Sequence, residues 1–103
     1  MTRRVVWADT ARETYLEIVR YIAEDNPDAA ERVARRIDET ARALGDFAIG
    51  RAGRVQGTYE KVVTGLPYIL AYSLLEHADG TEQVAILHVI HTSRNWPPDR
   101  WPQ

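Results

Sequence analysis

Hydrophobic positions along the chain change their spacing twice, and each change marks a different kind of element. Arg3-Arg4-Val5-Val6-Trp7 is a short apolar run with β-branched residues and reads as a first strand. From there Ala11, Tyr15, Ile18 and Ile22 recur at spacings of four, three and four, the stripe of a helix lying on a core. Thr10 with Glu13 fits a capping box at its start, and Asp9 is a rival cap. The stripe ends at Glu24, where Asp25-Asn26-Pro27 combines a stop with a new start. Proline disfavours helix at Asn26, yet it suits the first position of a second helix that Asn26 can cap. In that helix Ala30, Val33, Ile37, Ala41 and Leu44 again step by three or four, which predicts a tight helical hairpin. Glu31/Arg35, Arg35/Glu39 and Asp38/Arg42, each four apart, read as a solvated charged face, and Gly45 as the residue just past the helix end.

Residues 47–57 are glycine-rich and irregular, after which β propensity returns. Tyr59–Val63 is one strand candidate, Gly65-Leu66-Pro67 a turn, Tyr68–Leu75 a second strand, Asp79-Gly80 a hairpin signal in a longer loop, and Gln83–His91 a third strand. The order β-α-α-β-β-β predicts an α+β domain. Its N-terminal strand and helical hairpin belong with a mainly antiparallel four-stranded sheet, the helices covering one face.

At 103 residues, with 45% hydrophobic and 27% charged residues, the chain reads as a single globular domain spanning 1–103. It has no cysteine, which excludes a thiolate nucleophile and a sulfur-built zinc site and suits a reducing cytoplasm. No signal peptide and no membrane span is expected. The net charge of −2 lacks the broad basic footprint of a nucleic-acid binder, although residues 47–63 carry Arg51, Arg54 and Lys61 against Glu60 alone.

Dinucleotide, phosphate-loop and nucleophile-elbow fingerprints are all missing, so no cofactor is expected. No metal is expected either: His88 and His91 are three apart, and an odd separation in a strand points side chains to opposite faces unless a bulge intervenes. Two features carry possible chemistry. The loop Gly50-Arg51-Ala52-Gly53-Arg54 offers backbone N–H groups and two guanidiniums to an anion, or is simply a flexible connection with solvated arginines. The stretch HVIHTSRNWP, residues 88–97, places His91, Arg94 and Trp96 at and beyond a strand end. There His91 could act as a general base on a 2′-hydroxyl, with Arg94 steadying the phosphate and Trp96 or Tyr72 stacking on the base. Alternatively His91 finishes the strand, while Trp96 and Trp101 fold over the core. Spacing alone favours this structural role.

Taken with the element order, the strings W-A-D-x-A, YIAEDNPDAA, GRxGRVxGT, PYILAYSL and ILHVIHTSRNWP resemble the RelE/ParE superfamily of bacterial toxins over nearly the whole chain. The resemblance implies the toxin half of a type II, plasmid-stabilising toxin–antitoxin module, neutralised by a cognate antitoxin encoded in an adjacent gene. Within the superfamily, RelE-like members are endoribonucleases that cut mRNA in the ribosome, whereas ParE-like members poison DNA gyrase and have no hydrolytic site of their own. Ribonuclease members often carry an arginine in an Arg-Leu-Val-Tyr pattern; alignment on Tyr72 puts Ile69 there, which leans toward ParE, as does the acidic net charge. His91 with Arg94 matches the C-terminal histidine of some ribonuclease members and keeps them as catalytic candidates. Under the ParE-like reading Arg51, Arg54, His91, Arg94 and Trp96 are contacts to target or antitoxin. A module relic that binds its antitoxin without toxicity is the third alternative.

Overall fold

The structure is a computed structural model and describes residues 3–46, 51–53 and 56–92. Strand β1 (Arg4–Trp7) leads into helices α1 (Asp9–Asp25) and α2 (Pro27–Asp46). Strands β2 (Arg51–Ala52), β3 (Tyr59–Val62), β4 (Tyr68–Glu76) and β5 (Glu82–His91) follow. The four expected strands and the helical hairpin are all present, and β2 adds two residues at one edge. The sheet runs β1-β5-β4-β3-β2, antiparallel throughout except that β1 lies parallel to β5.

The helical hairpin forms as its sequence implies at the junction. The Ala29 N–H donates to Asn26 Oδ1 at 3.0 Å, so Asn26 caps α2 and Pro27 takes its first position, where a missing N–H costs no helix bond. At the start of α1 the expected capping box does not form. Ala8 is the N-cap with no side-chain bond, and its carbonyl accepts the Arg12 N–H at 3.0 Å. Thr10 already lies inside the first turn, and Ala8 is held from the other side by its own N–H to the Ile86 carbonyl, at 2.9 Å. The strand-to-helix link is so short that sheet pairing sets the helix start, and Asp9 adds its charge to the first turn.

Gly45 also departs from expectation, lying within α2 rather than beyond it. Its carbonyl accepts the Arg3 N–H at 2.7 Å, and a Cβ built on it would stand 2.7 Å from the Arg3 carbonyl oxygen and 3.0 Å from Val5 Cγ2. This glycine permits a close approach of the last turn of α2 to the lead-in of β1. On the outer face of α2, Arg35 bonds Glu31 and Arg42 bonds Asp38, both at 2.9 Å. Arg35 does not pair with Glu39, which instead faces the sheet edge.

The core lies between the helices and one sheet face, where Ala11, Ile37, Ala41, Leu44, Val63, Leu70, Tyr72, Val84, Ile86 and Val89 form one cluster. Strand β5 keeps this face apolar through a bulge. Ala71 pairs with His88 but Tyr72 with Ile86, so Leu87 is an extra residue and the inward alternation changes phase. Val84 and Ile86 face the helices before it and Val89 after it, while Ile90 joins Ile69 and Ala71 in a second buried cluster on the opposite face.

Candidate functional site

Tyr68 and His91 are paired across β4 and β5, and their rings meet edge-on with centroids 5.5 Å apart. His91 is thus half-buried at the rim of the helix-facing side, at the very end of β5. Thr92, next in the chain, donates its N–H to the Pro67 carbonyl at 2.9 Å, which ties the strand end to the β3–β4 turn. At the same end the Arg36 Nη1 donates to the Thr64 carbonyl at 2.9 Å and bridges α2 to that turn.

Arg51 lies in β2 with its backbone in register with Glu60. Arg54, Arg94, Trp96 and Trp101 lie outside the described residues. His88 and His91 fall on opposite faces, because the bulge precedes both and leaves their odd separation intact. Tyr72 is not available to stack on a nucleobase: it is fully buried in the main core, 5.5 Å from the Tyr59 ring and nearly parallel to it.

Among the described residues the Tyr72 hydroxyl has no hydrogen-bond partner, and its pKa is raised, first by burial and then by the Tyr59 phenol, against a smaller opposing influence of Arg3. A buried unpaired hydroxyl costs about 1–3 kcal/mol. Tyr72→Phe is accordingly expected to raise stability by about 1 kcal/mol in urea unfolding; lost stability would show that the hydroxyl is bonded after all. With the folded pKa above the unfolded 10.0, the tyrosine's contribution to stability is intact below pH 10 and declines as the pH rises through the folded value, an alkaline loss the phenylalanine variant should lessen.

Two features escape a reading of the sequence. The first is a polar row on the face away from the helices. Glu60 pairs with Ala71 and Ala71 with His88, so a carboxylate and an imidazole flank an alanine from strands about 10 Å apart. Glu60 and His88 are the buried charged or polar residues of the described chain, and each has an interaction partner. Ile69 and Ile90 lie beside this row, so the site of the missing arginine is an enclosed apolar position. Local alternation gives no signal for a buried glutamate in a four-residue edge-side strand. The second feature is a groove of about 350 Å³ between α2 and β3, lined by Arg36, Glu39, Thr40, Leu44, Lys61 and Val62 among others. Among the described residues, no group of three or more His, Asp or Glu could hold a metal ion, and no helix is long and apolar enough to cross a membrane.

A helical hairpin on one face of a small, mainly antiparallel sheet, with a parallel N-terminal strand, is the architecture of a known toxin class. The structure matches a chain of a chromosomal ParDE toxin–antitoxin system from P. aeruginosa with a TM-score of 0.75. The match covers 87% of this chain and 96% of that one at 17% identity, a likeness of fold. The family model for the ParE toxin of the type II toxin–antitoxin system parDE matches residues 5–96. A curated relative from Sinorhizobium fredii (strain NBRC 101917 / NGR234), named "Putative toxin Y4kP", is 38% identical over 96 residues, covering 92% of this chain and 94% of its own. The chain belongs to the ParE toxin family of type II toxin–antitoxin systems, and membership implies an antitoxin partner.

Proposed function

We propose that this chain, acting as one domain in the cytoplasm, inhibits growth by poisoning DNA gyrase and is silenced by a cognate antitoxin encoded beside it. The match to the ParE family over residues 5–96 carries this reading. Two features of the chain support it over RNA cleavage: Ile69 is buried among apolar neighbours where ribonuclease relatives carry an arginine, and Tyr72 is enclosed in the core. Arg51, Arg54, His91, Arg94 and Trp96 are then contacts to gyrase or to the antitoxin rather than a catalytic set.

The test is a gyrase supercoiling assay on the purified, antitoxin-free chain, with the gel resolving cleaved from relaxed plasmid. Loss of supercoiling with accumulating cleaved DNA is the expected result. Folded protein that arrests growth yet leaves gyrase untouched would favour the ribonuclease reading, which has one observation in its favour, the half-buried His91 at the sheet rim. In that case His91→Ala abolishes mRNA cleavage while antitoxin binding persists. Induction without antitoxin that leaves growth unchanged would mark the chain as a relic.

A further inference from the structure

The helices lie on one face of the sheet, and the main core cluster forms on that side. In such an architecture the opposite face should be open, because a sheet face is buried only where a second layer lies about 10 Å above it. It is not open. Ile69, Ala71 and Ile90 form a cluster there that contains no helix residue, yet they are 4%, 0% and 2% exposed. Glu60 and His88, in register with Ala71 from either side, are buried as well. Coverage fades away from the end of β5. On the same face Leu75, near the other end of β4, and Val62, in the outer strand β3, are each 45% exposed.

Most of the chain is committed elsewhere. The β3–β4 and β4–β5 turns are exposed, apart from Leu66, which packs on the helix-side core. The β2–β3 connection closes at the sheet edge, where the Gly53 N–H donates to the Thr58 carbonyl at 2.8 Å. Gly45 lies beside Arg3 while Arg51 is in β2 at the opposite edge, and the sheet's width uses up the reach of the five residues between them. The N-terminus is held on the helix side by the Arg3 N–H on the Gly45 carbonyl. The segment that remains is 93–103, and it starts next to Thr92, whose bond to Pro67 fixes the chain exit beside Ile69 and Ile90. Its composition suits a cover: Trp96 and Trp101 bring large apolar surfaces, and Pro97, Pro98 and Pro102 have no N–H to leave unpaired. Arg94 and Arg100 outnumber Asp99, which matches a face holding the Glu60 carboxylate.

We propose that residues 93–103 dock across this face of the sheet, with Trp96 and Trp101 over Ile69, Ala71 and Ile90. The inference stands whichever target the chain inhibits. It also gives Trp96 a second role, since a target or antitoxin that takes this side chain competes with the sheet for it and uncovers Glu60 and His88.

The chain has no cysteine, so single introduced thiols report on coverage in the full-length protein. Ile90→Cys lies on the covered face, Leu75→Cys at its exposed end, and Ala41→Cys in the helix-side core. With a maleimide, Ile90→Cys is expected to react at least about a hundredfold more slowly than Leu75→Cys. Adding Trp96→Ala and Trp101→Ala should speed Ile90→Cys by at least about tenfold and leave Ala41→Cys protected. Ala71→Cys, on the same face, repeats the measurement should Ile90→Cys loosen β5, and circular dichroism confirms that each variant is folded. Equal rates for Ile90→Cys and Leu75→Cys in the parent chain would show that nothing covers the face and overturn the proposal. Protection that survives loss of both tryptophans would assign the cover to another segment and overturn it too. Equal acceleration at Ala41→Cys would place the tryptophans in the helix-side core, with the same consequence.

Discussion

Truncating Ile37 to alanine is expected to lower the unfolding free energy by about 3–4 kcal/mol, the upper part of the range for a fully enclosed branched side chain. Ile37 is 0% exposed at the centre of α2 and shares one cluster with Ala11 of α1, Leu70 of β4 and Ile86 of β5. Neighbours drawn from several elements cannot all collapse into the space it leaves, so the cavity cost adds to the lost burial. A domain of this size holds roughly 5–15 kcal/mol in all. The melting temperature should therefore fall by about 4–8 °C for each kcal/mol lost. Urea unfolding followed by circular dichroism provides the check, with a lower midpoint at unchanged slope. Arg32→Ala, on the exposed side of the same helix, should shift stability by no more than about 0.5 kcal/mol. A loss below about 1 kcal/mol at Ile37 would mean that α2 does not anchor the core.

The second large effect is decided by its sign. In an exposed helix interior, Gly→Ala gains about 1 kcal/mol. At Gly45 the new Cβ would stand 2.7 Å from a backbone oxygen of Arg3, and backbone cannot swing aside as the end of a long side chain can. The carbonyl of Gly45 also accepts the Arg3 N–H, so relief of the clash stretches the bond that seats the start of β1. Overpacking of this kind costs about 1–3 kcal/mol. Gly45→Ala should thus destabilise, and Gly45→Val should do so more strongly. Stabilisation by alanine in the same urea experiment would show that the close approach of α2 to β1 does not persist in solution.

These two sites differ in how far they can be read from the chain. Ile37 belongs to a stripe at spacings of three and four, and its burial follows from helix periodicity alone. Gly45 looks like a helix terminator by composition, and its real role depends on a strand some forty residues earlier in the sequence. The polar side chains of the sheet divide along the same line. Lys61 and Arg36 line one groove only because the fold brings α2 beside β3. Glu60 and His88 become one row only through the pairing of three strands.

The sequence by itself determined the element order, the helical hairpin with its Asn26 cap, the turns at Gly65 and Gly80, and the toxin family. All of these rest on chemistry within a few residues: periodicity, capping, the fixed φ of Pro27, and positive φ at the two turn glycines. Tertiary structure decided the parallel pairing of β1 with β5, the start of α1 at Ala8, and the faces of β5 beyond Leu87. Strict alternation would put position 88 beside Val84 and Ile86 in the core. One extra residue in the ladder sends His88 to the other face, where it is still buried but has an interaction partner, and returns Val89 to the helices; an imidazole buried without a partner costs more than the pairing disrupted at a bulge.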